Sequence, residues 1–148
     1  MTAELHDAVA ARIKTGEGRY TRSRRQLVEV LVGARQPLTV EEILGHDREL
    51  TLSSVYRNLA VFEETGLVRR LAGHGDFARF ELAEELTGHH HHLACGRCGA
   101  MTDVELPARL ENELESALAK LAGQQGFELE SHRVDAVGRC SSCARQED

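Results

Sequence analysis

Two cysteine pairs and a run of histidines are the residues of this sequence that could do chemistry. Residues 88–98 read GHHHHLACGRC, and a second CxxC pair follows the first after 41 residues. Paired thiolates suit a closed tetrahedral zinc site. Buried apolar cysteines or a redox CxxC are the alternatives, but paired CxxC motifs rarely arise by chance and no thioredoxin-like pattern surrounds them. We expect a structural zinc that stabilises the C-terminal region, held by Cys95, Cys98, Cys140 and Cys143.

The histidine run can supply two further sites. In an extended segment, alternation directs His89 and His91 to one face and His90 and His92 to the other. Imidazoles joined by carboxylates can bind zinc, ferrous iron, nickel or manganese. A polar surface loop is the alternative. The run is internal and four residues long, which argues against a purification tag.

Composition describes an ordinary globular chain of one domain or two small ones. Hydrophobic residues make up 41% of the 148 residues and aromatic residues 4%. No stretch has the length of a membrane span, and the N-terminus lacks the apolar segment of a signal peptide. We therefore expect a cytoplasmic protein without a membrane partner, whose thiols stay reduced and bind metal rather than forming disulfides.

Charge is distributed unevenly along the chain. The net charge is −6, yet the stretch from Arg12 to Arg25 has a local balance of +5. Such a patch can bind phosphate even on an acidic protein. A solvated helix face is the alternative interpretation.

The first half of the sequence predicts helices followed by a hairpin. Apolar periodicity predicts helices over 4–14 and 22–34, and Thr39 with Glu42 forms a capping box that begins a third helix. A fourth helix begins after Thr51 and ends near Gly66. Two β-prone runs then flank a turn at 74–76. This order predicts a winged helix-turn-helix.

The second half predicts a smaller α/β unit. We place a hinge at 86–88, so that residues 1–86 form one domain and residues 87–148 the other. A strand at 102–104 precedes Pro107, which should occupy the first position of a long helix. One stripe of this helix is either core or a subunit contact, and a β-like segment over 127–137 follows it. The stripe consists of Leu110, Leu114, Ala117 and Leu121.

Four fragments in this order resemble the ferric uptake regulator family over roughly residues 19–143: YTRSRRQLVEVL, SSVYRNLAVFEETGLV, HHHHLACGRCG and HRVDAVGRCSSC. The resemblance implies a homodimeric, metal-dependent DNA-binding repressor. It also implies an N-terminal winged helix, a C-terminal α/β dimerisation domain with a four-cysteine structural zinc, and up to two regulatory sites near the hinge.

The same resemblance assigns ligands to those two sites. One set is His89, His91, Glu115 and His132, and the other is Glu81, His90, His92 and Asp103. Glu81 would tie the DNA-binding domain to the other one. The sequence departs from the family pattern where relatives supply a ligand from the turn before the third helix, because RQPLTVEE has no histidine. Arg69 and Ala83 also replace an aspartate and a cysteine of zinc-sensing relatives; His74, Asp76 or water could complete the shell.

A winged helix-turn-helix places its fourth helix in the major groove of double-stranded DNA. Its non-apolar side should read bases and phosphates through Ser53, Ser54, Tyr56 and Arg57, although Tyr56 could instead be a half-buried helix residue. A basic patch should hold the backbone through Arg19, Arg22, Arg24 and Arg25. A two-fold dimer further predicts a pseudo-palindromic operator.

Zinc is the regulatory ion that the sequence favours, because the run is all histidine and the resemblance gives one site three histidines. Ferrous iron is second, since Glu81 matches the iron-type pattern, and nickel or peroxide sensing stays open. An enzyme is not expected, because the HExxH helix of zinc hydrolases and the glutamate spacing of deaminases are missing. A zinc-stabilised protein-interaction module that does not bind DNA is the remaining alternative.

Overall fold

The structure is a computed structural model, and it describes residues 2–15, 18–72 and 77–146. The turn expected at 74–76, with His74 and Asp76 as possible ligands, lies outside the described residues. Within the described ranges, no helix has both the length and the apolar character needed to cross a membrane.

Four helices open the chain: α1 (Thr2–Thr15), α2 (Arg22–Ala34), α3 (Val40–His46) and α4 (Leu52–Glu64). The capping box at α3 is confirmed, since Thr39 accepts from the Glu42 N–H and Glu42 accepts from the Thr39 N–H. Thr51 caps α4 as expected. Gly66 follows that helix with a φ of 67°, a left-handed conformation that favours glycine.

A two-stranded antiparallel sheet completes the winged-helix unit. Strand β1 (Val68–Ala72) pairs with β2 (Ala78–Leu82). Leu38 exchanges two backbone hydrogen bonds with Phe80, and so attaches the segment before α3 to the sheet. The predicted winged helix-turn-helix is therefore the fold observed.

One apolar core holds this unit together. It runs from Val9 on α1 to Leu82 on β2, and Phe62 on α4 is fully buried within it. The apolar positions of the helices are not all buried, because Leu52 is 54% exposed at the start of α4 and Val32 is 37% exposed on α2. Leu52 lies in the first helical turn of α4, beyond the edge of the core.

The short helix α5 (Glu84–Thr87) leads from the winged-helix unit into the C-terminal unit. The C-terminal unit contains β3 (His91–Cys95), β4 (Met101–Val104), α6 (Ala108–Gln124), β5 (Asp135–Gly138) and α7 (Ser141–Ala144). The sheet order is β4-β3-β5, with β4 antiparallel and β5 parallel to β3. The β-like pattern over 127–137 was only partly right, because the strand forms at its end. Pro107 occupies the N-cap position of α6, one residue before the first helical position where it was expected.

Helix α6 leaves its apolar stripe uncovered in the single chain. None of its residues is buried, and Leu110 and Leu121 are 49% and 57% exposed. Phe127 and Val137 on neighbouring segments are exposed as well. The stripe is therefore not part of a core formed by one chain, which leaves a contact with another molecule as the interpretation.

Asn58 fixes the position of α4 against α2. Its side chain is buried, its amide donates to Ser23 Oγ at 3.0 Å, and its carbonyl oxygen accepts from Arg24 Nε at 3.3 Å. The neighbouring Arg57 points to solvent. Asn58 thus attaches α4 to α2, whereas the adjacent Arg57 belongs to the exposed surface of α4.

Replacing Asn58 with alanine should lower the free energy of unfolding by about 1–3 kcal/mol, because two half-buried partners lose their hydrogen bonds. Urea unfolding of protein with matched metal content measures this. Arg57→Ala is the control and should change stability by no more than about 0.5 kcal/mol. Equal destabilisation by both substitutions would contradict this assignment.

Candidate metal centres and nucleic-acid interface

The first N/O cluster joins the two units of the chain. One ligand atom from each of its members lies within 4.8 Å of every other. Glu81 comes from β2, and the other three residues come from the segment leading into β3, from β3 and from β4. The cluster consists of Glu81, His90, His92 and Asp103, which is the set that the sequence analysis gave.

Both imidazoles of this cluster are held with the same nitrogen inward. His90 Nδ1 lies 3.0 Å from the Gly88 carbonyl oxygen, and His92 Nδ1 lies 3.0 Å from Asp135 Oδ1. These oxygens accept hydrogen bonds, so Nδ1–H donates and each neutral ring directs its Nε2 lone pair to the centre. The Nε2 atoms lie 3.2 and 2.9 Å from Glu81 Oε2. Metal-binding histidines are oriented by such carbonyl and carboxylate acceptors.

Burial and neighbouring charges shift the pKa values of Glu81 and His92 in opposite directions. Burial alone would raise the pKa of Glu81, but its contacts with His92 and His90 outweigh burial and lower that pKa. Burial would lower the pKa of His92, yet Glu81 and Asp135 raise it. Burial raises the pKa of Asp103. The cluster therefore gathers anionic oxygens that need positive charge nearby.

The residues present fit a metal ion at this cluster. Asp103 Oδ1 is buried and has no hydrogen-bond partner among the described residues. A buried, unpartnered carboxylate oxygen beside two inward lone pairs is the donor arrangement that a divalent cation satisfies. A cleft of about 850 Å³ reaches the cluster, with Glu81, His90 and Asp103 among its lining residues, and it offers an ion a route of entry.

The second N/O cluster lies on the other face of β3. Its ligand atoms also lie within 4.8 Å of one another, and it consists of His89, His91, Glu111 and His132. His132 Nε2 lies 2.7 Å from Glu111 Oε1, but the pair lacks hydrogen-bond geometry, and neither of these buried atoms has a hydrogen-bond partner among the described residues. These orphaned atoms also fit a cation.

Glu111 replaces Glu115 in this cluster, which corrects the sequence-based assignment. Both residues lie on one side of α6, since they are four positions apart. Glu115 lies one turn, about 6 Å, further along the helix and is exposed. Glu111 lies in the first turn, next to the histidines. Family position alone did not distinguish two glutamates one turn apart.

His91 makes the second cluster less ready for an ion than the first. The Val134 N–H donates to His91 Nδ1 at 3.2 Å. In a neutral ring Nε2 then carries the proton and donates to Glu111 Oε2, 2.9 Å away. Metal binding through Nε2 requires His91 to give up the Val134 contact, whereas His90 and His92 need no such change.

The four cysteines come together as the spacing predicts. Their sulfurs lie within 4.8 Å of one another, with Cys98 Sγ 3.7 Å from Cys140 Sγ. Backbone N–H groups, first that of Cys140, lower the pKa of Cys95 to about 5. Its sulfur neighbours, first Cys140, raise the pKa of Cys143 to about 12. Four thiolates at this spacing need a cation, which is the chemistry of a closed metal site.

Arg79 connects the winged-helix unit to the cysteine turn, a contact that the sequence analysis missed. Its buried guanidinium donates from Nε to the Gly99 carbonyl at 2.7 Å. From Nη1 it donates to the Pro37 carbonyl at 2.9 Å and to Glu42 at 2.7 Å. Glu42 is also the second member of the capping box of α3. The cysteine turn is thus hydrogen-bonded, through one side chain, to the start of the helix-turn-helix.

Arg79→Lys keeps a charge beside Glu42 but removes the Nε donor, so the contact with Gly99 should weaken by about 1.5–3 kcal/mol. Hydrogen–deuterium exchange followed by mass spectrometry should show faster exchange over residues 96–100. The exposed Arg70→Lys serves as the matched control and should leave that exchange unchanged. Equal exchange in all three proteins would show that Arg79 does not hold the turn.

The candidate DNA surface is only partly as expected. Ser53, Tyr56 and Arg57 are exposed on α4, and Tyr56 is 57% exposed, so it is not a half-buried residue. The hydroxyl of Ser54 donates to the Thr51 carbonyl and accepts from the Thr51 N–H, which gives it a capping role.

The basic patch is divided in the same way. Arg19, Arg22 and Arg25 are exposed, and Arg22 pairs with Glu49 at 2.7 Å. Arg24 instead donates to the Arg19 carbonyl and to Asn58. Its guanidinium supports the fold of the winged-helix unit instead of facing outward.

Comparison with known proteins gives consistent matches over nearly the whole chain. The sequence model of the Ferric uptake regulator family matches residues 15–137. The peroxide operon regulator of Bacillus subtilis (strain 168) is 31% identical over 149 aligned residues, covering 98% of this chain and 97% of the relative. The Helicobacter pylori ferric uptake regulator Fur superposes with a TM-score of 0.76 at 24% identity, covering 100% and 97% of the two chains. A zinc-bound manganese uptake regulator superposes with a TM-score of 0.65 at 26% identity, covering 92% and 98%.

Proposed function

Because the chain belongs to the ferric uptake regulator family, we propose that it is a metal-dependent DNA-binding repressor whose regulatory ion is zinc. The observation that carries the proposal is the cluster in which Glu81 of the winged-helix unit meets His90 and His92 of the C-terminal unit. In the proposal, residues 1–86 read DNA, residues 87–148 form the dimer, and the hinge lies between them.

The switch depends on the two units being apposed. Glu81 can share an ion with His90 and His92 only when β2 and β3 hold the relative position seen here. A bound ion supplies the positive charge that these donors and Asp103 need. To convert a mostly open population into a mostly closed one, binding must favour the closed state by roughly 5 kcal/mol. A four-ligand site divided between two units is suited to this role.

The cysteine cluster has a separate, structural role in this proposal. Four cysteine sulfurs within 4.8 Å of one another supply the donor set of a tetrahedral structural zinc site. The C-terminal unit has few buried apolar side chains of its own, so the ion at the cysteines contributes folding free energy.

In the proposal, the exposed residues of α4 and of the basic patch contact DNA. Arg57 is the candidate for a guanine or phosphate contact, with Tyr56 and Ser53 beside it. Arg19, Arg22 and Arg25 would bind the phosphate backbone. We propose that Arg24 and Ser54 support these contacts by positioning α2 and α4. The relative from Bacillus subtilis is itself named as an operon regulator.

A second copy of the chain is the proposed partner for the exposed apolar side chains of the C-terminal unit. These include Leu110 and Leu121 of α6, Phe127 and Val137, all at least 49% exposed. Large apolar side chains left exposed in this way are typical of contact surfaces. Two winged-helix units related by a two-fold axis would read a pseudo-palindromic operator.

Replacing Glu81 with alanine should reduce zinc-dependent operator affinity at least tenfold, since the interdomain cluster loses the one ligand that the described residues of the winged-helix unit supply. Fluorescence anisotropy with an operator selected in vitro from random DNA measures the affinity. Glu85→Ala removes an exposed carboxylate nearby and should bind as the unsubstituted protein does. Both variants should retain the cysteine-bound zinc by elemental analysis. Unchanged affinity in Glu81→Ala would remove this cluster from the switch.

Ferrous iron linked to peroxide sensing is the second candidate. It is favoured by the peroxide operon regulator at 31% identity and by two carboxylates in the interdomain cluster. Zinc is favoured by the three histidines of the second cluster.

Operator binding titrated with buffered zinc, ferrous iron and manganese should separate the two candidates. The zinc proposal expects half-maximal binding at the lowest free concentration for zinc, and no loss of binding after brief peroxide treatment. Activation by ferrous iron alone, abolished by peroxide, would assign the chain to the second candidate.

A further inference from the structure

A chain of contacts links the two N/O clusters through Arg69 of β1. The Nη2 atom of Arg69 lies 3.2 Å from Glu81 Oε1 and 2.8 Å from Glu84 Oε1. Glu81 directs its other oxygen, Oε2, to the histidines of the interdomain cluster. Arg69 therefore fixes the outer oxygen of one candidate ligand while that ligand's inner oxygen faces the ion position.

Glu84 continues the chain towards the second cluster. Its Oε2 lies 3.1 Å from His89 Nδ1, while His89 Nε2 lies 3.2 Å from Glu111 Oε1. A carboxylate that accepts from Nδ1–H leaves Nε2 to bind an ion, and it fixes the orientation of the ring. Glu84 thus stands to His89 as Asp135 stands to His92.

One guanidinium is therefore shared by the supports of both clusters. Arginine stays charged at all relevant pH values, and its planar group holds carboxylates in a defined direction. The side chain of Arg69 is 31% exposed, and those of Glu81 and Glu84 are 7% and 17% exposed. Ordering Glu84 against Arg69 also orders Arg69 against Glu81.

We propose that Arg69 and Glu84 are positioning residues that couple the two N/O sites, so that an ion at one site strengthens binding at the other. This inference rests on the proposed function, because it takes both clusters as metal sites. An ion bound by His89 fixes Glu84 and, through it, Arg69 and Glu81. The second ion then binds to donors that are already ordered, which is a source of positive linkage.

Zinc titration against a chromophoric chelator, on protein with its cysteine site filled, measures the affinities of the two clusters. Arg69→Gln should weaken zinc binding at both clusters. Glu84→Gln should weaken the second cluster by about 10–100-fold, the usual effect of removing a carboxylate that orients a ligand. The exposed Arg70→Gln is the matched control and should change neither affinity.

Linkage itself is tested by a double-mutant cycle with His132→Ala, which disables the second cluster. In the native background this substitution should weaken the interdomain cluster at least about fivefold, the lower range of site coupling. In the Arg69→Gln background it should have no further effect. An equal effect of His132→Ala in both backgrounds would overturn the proposal.

If the ion pairs of Arg69 were purely structural, removing them would lower the unfolding temperature without changing the linkage. Thermal unfolding is therefore recorded for each variant. If Arg69→Gln does not fold, Glu84→Gln carries the same cycle. The outcome is separable from that of the proposed function. Linkage can be lost in Arg69→Gln even if Glu81→Ala binds operator normally, and operator binding can depend on Glu81 even if no linkage exists.

Discussion

The proposed switch depends on the contact of one buried carboxylate with two imidazoles that lie on the other side of the proposed hinge. Glu81 is 6% exposed and His92 is 1% exposed, so both groups depend mainly on partners within the protein. Charged groups removed from water are tolerated only when they are paired or coordinate a metal. Glu81 lies on β2, His90 directly precedes β3 and His92 lies on β3. The contacts that satisfy these buried groups therefore also determine how the two units sit together.

The two units are stabilised by different means. The winged-helix unit has a continuous apolar core from Val9 to Leu82, and it needs no ion to explain its packing. The C-terminal unit has no comparable core in a single chain. Its buried groups are largely cysteine and histidine, and α6 has no buried residue. In the proposed function, the second unit therefore depends on metal and on a second copy of the chain, and occupancy of its sites controls the position of the first unit.

Local sequence signals predicted most of the fold, the cysteine cluster and the pairing of the histidines, and the family resemblance supplied the other ligands of the two N/O clusters. Longer-range contacts were not predicted. The capping threonines, Gly66 and the alternation of the histidine run each act over a few residues, so their consequences are visible in the sequence. The bond from Arg79 to Gly99 joins residues 20 positions apart, on two units whose docking no periodicity encodes. Glu111 was missed for a different reason, since a helix presents Glu111 and Glu115 on the same face and only the start of α6 decides between them.

Anomalous diffraction from crystals grown with zinc, recorded above and below the zinc absorption edge, shows directly whether an ion joins the two units. We expect an anomalous peak for an ion bound by the carboxylate of Glu81 and the Nε2 atoms of His90 and His92, in addition to a peak among the four cysteines. A crystal with the cysteine site filled and zinc in excess, but no peak between Glu81 and these imidazoles, would contradict it.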